Sequence, residues 1–244
     1  MRPPAGPRPG LRSPRLIVIA KAPIPGRAKT RLTPPCSPVQ AAALAEAALV
    51  DTLAAAGAAE LSTVLALDGP PGPWLPSGVA RLAVVAQRGG GLDERLAAAF
   101  DDAGGPALLV GMDTPQLSPE LLVACMARLM VPGTDAVFGP AADGGWWAIG
   151  LRRPDPRVFL GVPMSTEATG QAQRARLDRL GLAVGDLPIL RDVDVWADAL
   201  AVPVAATSQF GAVVGAVTQA IARTAAGGVA DRDGEPALAG AAPA

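Results

Sequence analysis

No histidine occurs anywhere in the 244 residues. That absence removes Ser–His and Cys–His nucleophilic hydrolysis, imidazole general acid–base catalysis and most zinc sites. Any metal must then be held mainly by oxygen, which points to Mg²⁺, Mn²⁺ or Ca²⁺. Cysteine is nearly absent too. Cys36 and Cys125 stand far apart, so a disulfide framework is not expected and a reducing, cytoplasmic setting is. Formal net charge is −1, leaving no surplus of either sign for nucleic acid or a membrane surface. No run of about 18 apolar residues appears, because Glu46 and Asp51 break the Ala-rich stretch 41–59. The Pro- and Arg-rich start lacks the apolar stretch of a signal peptide, and the Gly-x-x-x-x-Gly-Lys-Ser/Thr phosphate loop is missing.

What is present is unevenly placed. Lys21, Arg27, Lys29 and Arg31 crowd into eleven residues directly after Arg15–Ala20, an apolar β-branched run of the kind found in buried parallel strands. Cations and backbone N–H groups at a strand end suit a nucleotide's phosphates. In this loop Lys21, Lys29 and Arg31 are the expected phosphate-gripping residues, with Arg27 and Thr30 beside them. Gly26 is expected to let the backbone approach closely, and Pro23 and Pro25 to stiffen the loop. A solvated basic loop is the plain alternative.

Along the rest of the chain, strands are expected at 61–67, 81–86, 107–111, 135–139, 146–151 and 182–187. Helices are expected over 37–56 with Gly57 as stop, 92–103, 118–130, 165–180 with Ser165 as start, and 208–222. The alternation predicts an α/β fold with a mostly parallel sheet covered on both faces, and ligands beyond the carboxyl ends of the strands. One unit is expected over 14–224, preceded by a disordered segment 1–13 and followed by a flexible tail 225–244.

Four further stretches carry candidate chemistry. Gly111-Met-Asp113-Thr-Pro115 puts a carboxylate at a strand end, where it could hold a metal or merely cap a turn. In Arg191-Asp192-Val-Asp194 two carboxylates alternate around Val193, so in an extended segment they point the same way. Such a pair asks for a cation between them. The alternative is a surface turn. Asp198 falls in the first turn of the next helix. Asp143-Gly-Gly suits a tight turn, with Trp146 and Trp147 behind it offering a stacking face and an N–H donor, or simply core aromatics. Gln87, Gly90 and Gly91, leading into the helix at Leu92, could frame a base or phosphate.

Taken in order, Lys21…Pro25-Gly26…Lys29-Thr30-Arg31-Leu32, the Gln87–Arg95 segment, Asp113-Thr-Pro115, Gly139-Pro…Asp143-Gly-Gly and Asp192-Val-Asp194 resemble one family. It is the family of arsenosugar-biosynthesis-type glycosyltransferases, similar to CofC-type 2-phospholactate guanylyltransferases and more distantly to MobA-type guanylyltransferases. The resemblance implies a three-layer, Rossmann-like nucleotide-diphospho-sugar transferase (GT-A-like) fold. It also implies metal-binding roles for Asp113, Asp192 and Asp194, with Mg²⁺ or Mn²⁺ as cofactor. The family commonly has Tyr after Asp-Gly-Gly, where this chain has Trp146 and Trp147. Three readings follow. The first is nucleotidylyl transfer from an NTP to a small anionic acceptor. The second is glycosyl transfer from a nucleotide sugar, with Asp143 as base. The third is nucleotide binding without catalysis. The partners expected are a nucleotide and a small-molecule acceptor, with neither nucleic acid nor membrane.

Overall fold

The computed structural model describes residues 13–76 and 81–230, the side chains of 225–230 excepted. The segment expected to be disordered lies outside these residues apart from Ser13, as does the tail from residue 231.

Seven strands form one sheet: β1 Arg15–Lys21, β2 Thr63–Asp68, β3 Leu82–Ala86, β4 Ala107–Gly111, β5 Ala136–Pro140, β6 Trp146–Leu151 and β7 Val184–Asp186, in the spatial order β3-β2-β1-β4-β6-β5-β7. All neighbouring pairs are parallel except those made by β6, which runs antiparallel to β4 and to β5. The helices are α1 Pro38–Ala58, α2 Leu92–Ala103, α3 Pro119–Met130, α4 Thr169–Arg179, α5 Trp196–Ala201 and α6 Gln209–Ala230.

Strand alternation sorts the core into two faces. Leu16 and Val18 of β1, with Leu108 and Val110 of β4, pack against Leu49 and Leu53 of α1 and Leu122, Met126 and Leu129 of α3. Ile17, Leu109, Phe138 and Ile149 pack on the other side with Phe100 of α2, Leu177 of α4 and Phe159 between those helices in sequence. There Phe100 and Phe159 stack with ring centroids 5.1 Å apart. A third cluster joins the outer side of α1 to α5 and α6 through Leu44, Ala48, Val193, Ala199 and Phe210. By length and composition α1 could cross a membrane, but 61% of its most apolar stretch is buried. Its Asp51 is also spent on α6, accepting bonds from Ser208 Oγ and the backbone N–H groups of Gln209 and Phe210. These contacts make α1 a core helix.

Local boundaries differ from the sequence reading in three places. Gly57 lies inside α1, and the chain turns at Glu60 in the left-handed region. Ser165 does not start α4: it has φ 60°, and the helix opens four residues later with Ala168 as N-cap. The last helix extends to Ala230, past residue 224. Ser37, by contrast, does cap α1 through a reciprocal pair with Gln40.

The topology positions the site. Strand order reverses between β1 and β4, where a parallel sheet opens a crevice at its carboxyl edge. Lys21 ends β1 and Asp113 stands just beyond β4. Because β6 is antiparallel, its first residue, Trp146, arrives at the same edge. Beyond β7 the chain pairs Leu190 with Ala141, past the end of β5, and so carries residues 191–194 to that edge as well.

Candidate functional site

A cleft of about 1110 Å³ opens there. Its basic wall is the loop after β1. Lys21, Arg27, Thr30 and Arg31 are exposed on it and line the cleft. Lys29 also lines the cleft but behaves differently. Its backbone is left-handed (φ 51°), and its side chain is only 9% exposed. The ammonium lies 2.6 Å from Asp113 Oδ1 and 3.8 Å from Asp194 Oδ1, and donates to the Val193 carbonyl. Lys29 therefore sits on carboxylates in this structure, not with the exposed cations. Arg31 is 66% exposed and reaches Asp194 Oδ2 at 3.0 Å.

The opposite wall is built by the 191–198 segment. Val193 is 1% exposed and locked in place, its N–H donating to the Asp113 carbonyl. With Val193 turned inward, Asp192 and Asp194 both face the region of Asp113, as an extended i, i+2 pair must. Thr114, fully buried, donates its hydroxyl to Asp192 Oδ1 at 2.7 Å. Asp198 fixes the following turn by accepting from the backbone N–H groups of Asp194 and Val195 and from Arg191. Burial pushes the Asp192 carboxyl up to about 6; Asp113 and Asp143 add to the rise, while the Thr114 hydroxyl and Lys29 oppose it.

This raised value has a stability consequence. Between 3.8 and about 6 the folded chain holds a proton on Asp192 that the unfolded chain releases. Stability from this group is therefore present at low pH, falls as pH rises through that window and is flat above it. Subtracting urea-unfolding free energies of Asp192→Asn from those of the wild type should expose the slope. Thr114→Val removes a bond that favours the charged form, so the Asp192 midpoint should move to higher pH, as read by carboxyl ¹³C NMR.

The Asp143 turn forms the third wall. Asp143 Oδ1 accepts from the Gly145 N–H at 2.9 Å, and the carboxylate faces the cleft. Gly144 (φ 90°) and Gly145 pack directly under the start of α4, where the Gly170 N–H donates to the Gly144 carbonyl. A Cβ at Gly170 would stand 2.4 Å from the Gly145 carbonyl oxygen and 2.7 Å from that of Gly144. Gly170→Ala should thus push α4 and the Asp143 turn apart, costing about 1–3 kcal/mol. A fall in melting midpoint together with altered ligand affinity would register it.

The tryptophan pair separates. Trp146 is half-buried and lines the cleft beside Met164, Thr166 and Thr169. Trp147 is 1% exposed and spends its N–H on the Pro188 carbonyl, so it is not a free ligand donor. Gln87 lines the cleft but ties β1 to β2, its Nε2 donating to the carbonyls of Ala20 and Ala66. The Gly90 N–H is taken by Glu94 Oε2 at 2.6 Å. Gly26 and Gly91 are not among the lining residues. Gly26 takes a left-handed φ of 76°, and a Cβ there would meet no protein atom within 4 Å. Gly91 is the N-cap of α2.

Sequence reasoning passed over Thr114, although it stands inside the Asp-Thr-Pro motif. It also passed over the 164–169 wall, which carries no composition signal. Arg95, which lines the cleft and pairs with Asp68 at 2.8 Å, stands in the sequence only as the end of the Gly-rich segment.

The expected three-aspartate metal site is not assembled as such. Among the described residues no three Asp, Glu or Cys side chains are placed to hold a metal ion together. The reason is geometric: the Lys29 ammonium already occupies Asp113 and approaches Asp194. The oxygen chemistry suits a hard cation, but this arrangement does not fit one.

Residues 49–166 match the model of the DUF2064 family, described as uncharacterized proteins conserved in bacteria. No functionally curated protein matches the chain. Among solved structures, one from Desulfovibrio desulfuricans G20, described provisionally as a nucleotide-diphospho-sugar transferase, is 29% identical. The match covers 76% of this chain and 84% of that one, with a TM-score of 0.67. The seven-stranded, mostly parallel sheet with flanking helices is the Rossmann-like α/β fold of the nucleotide-diphospho-sugar transferases. Two more distant structures are transferases of two kinds. CMP:2-keto-3-deoxy-manno-octonic acid synthetase complexed with CTP is 12% identical over 75% of this chain and 94% of that one, TM-score 0.48. Glucosyl-3-phosphoglycerate synthase from Mycobacterium tuberculosis, in complex with Mn²⁺, UDP and glucosyl-3-phosphoglycerate, is 12% identical over 75% and 71%, TM-score 0.46. At that distance no reaction is inferred from either.

Proposed function

We propose that this chain is a transferase with a nucleotide donor, moving a nucleoside monophosphate from an NTP to a small anionic acceptor. The observation that carries the reading is the cleft at the strand-order reversal, with exposed Lys21, Arg27 and Arg31 on one lip and carboxylates on the other. A triphosphate lies along the cations. An acceptor oxygen that is already ionised attacks the α-phosphorus, the bond from that phosphorus to the bridging oxygen breaks, and pyrophosphate leaves. Positioning and charge neutralisation supply most of such catalysis, so the lack of histidine is no handicap. The CofC-like affinity of the motifs belongs to this proposal, as does a cytoplasmic location, for which the two buried free thiols speak.

Glycosyl transfer is the second reading, favoured by the likeness to the Desulfovibrio structure. There Asp143, exposed beside the cleft, would take the proton of an acceptor hydroxyl. ³¹P NMR separates the two. The protein is incubated with Mg²⁺, each NTP and a panel of phosphate- and phosphonate-bearing acceptors, and in parallel with nucleotide sugars. Pyrophosphate from one NTP is the expected result. Nucleoside diphosphate from a sugar donor, with no pyrophosphate from any NTP, would overturn the first reading.

A further inference from the structure

We infer that Lys29 is the resident cation of the carboxylate cluster, and that a divalent metal and the Lys29 ammonium exclude each other there. The inference deepens the transferase reading and rests on it for its meaning. Its geometry stands by itself.

Three acceptors converge on one ammonium. Asp113 Oδ1 is 2.6 Å away, Asp194 Oδ1 is 3.8 Å away, and the Val193 carbonyl accepts a hydrogen bond. Two of the ammonium's three N–H donors have partners at bonding distance, the Asp113 carboxylate and the Val193 carbonyl, while Asp194 stands at ion-pair distance. The left-handed backbone at Lys29 accompanies this inward course, while Lys21, Arg27 and Arg31 of the same loop stay exposed. Lys29 is thus held by acceptors from two other segments, Asp113 after β4 and Val193–Asp194 after β7.

A hard divalent ion binds carboxylate oxygen at about 2.1 Å. It cannot share Asp113 Oδ1 with an ammonium at contact distance: both need the same lone pairs, and the two cations repel. The surplus of carboxylate over basic charge in the cluster (Asp113, Asp192 and Asp194 against Lys29 and Arg31) still attracts cations. Metal loading therefore requires Lys29 to move.

The test uses Mn²⁺ alone, followed through the EPR signal of the free aqueous ion, with wild type, Lys29→Met and Lys29→Gln. The expected result is at least about tenfold tighter Mn²⁺ binding in both variants than in wild type. Melting midpoints, lowered by losing the ion pair, should rise more with Mn²⁺ in the variants than in wild type. The double variant Asp113→Asn with Lys29→Met should lose the gain. Equal or weaker binding in the two single variants overturns the inference, as does a gain that survives in the double variant. If Lys29→Met does not fold, Lys29→Gln, which keeps a donor for the Val193 carbonyl, decides the question alone. Since no nucleotide is present, a failure of every NTP to bind would sink the transferase reading without touching this outcome.

Discussion

Lys21→Ala is expected to lower kcat/KM by roughly 10²–10³-fold, as the loss of one transition-state donor does. Stability should hardly change, within about 0.5 kcal/mol, because the side chain is exposed and makes no salt bridge among the described residues. Lys21 and Lys29 differ in what holds them: Lys21 is exposed and Lys29 is paired. Lys29 is already bound to carboxylates, so its removal perturbs both charge balance and stability, and a rate effect alone would be ambiguous. Lys21 ends β1, where the strand-order reversal opens the sheet, and its own N–H is turned onto the Met112 sulfur. That contact fixes the loop's departure while the ammonium remains available to a phosphate. Lys21→Arg, which keeps the charge, should recover part of the rate. Steady-state kinetics on the donor identified by ³¹P NMR would check both, and an unchanged kcat/KM for Lys21→Ala would remove this residue from the phosphate site.

Trp147→Ala should produce the largest loss of stability, about 3–5 kcal/mol. The indole is 1% exposed, packs under Gly139, where an added Cβ would stand 2.7 Å from the ring, and holds the Pro188 carbonyl at 2.9 Å. Replacement opens a cavity beside the sheet and releases the segment that carries Asp192 and Asp194. Donor affinity should weaken along with stability. Trp147→Phe separates the two contributions: it fills most of the volume but lacks the N–H, leaving a loss nearer 1 kcal/mol. Urea unfolding gives the stability term. Equal destabilisation by Ala and Phe would mean that the hydrogen bond, not the packing, dominates.

Much of the fold was legible in local pattern. The β-branched run at Arg15–Lys21, the apolar stretch at Ala107–Gly111 and the caps at Ser37 and Ser118 announce themselves because burial on both faces and helix ends impose distinctive residues. The antiparallel course of β6 was not legible, since an apolar six-residue run reads the same in either direction. Nor was the start of α4. Ser165 looks like a cap, but its backbone is left-handed (φ 60°), a conformation outside the helix, and the helix begins at Thr169.

For the site, sequence alone determined the ingredients: a cationic loop after the first strand, carboxylates at Asp113, Asp143, Asp192 and Asp194, and no imidazole to act for them. That Asp192 and Asp194 point the same way followed from sequence only for an extended segment, with a surface turn as the alternative; the burial of Val193 between them decided it. Only the tertiary structure decided who pairs with whom. Lys29 and Asp194 lie 165 positions apart, and whether an ammonium or a metal faces those oxygens depends on how β1's loop and the segment after β7 meet at one edge of the sheet. Charge type is written residue by residue. The partner of a charge is set by distances that the fold creates.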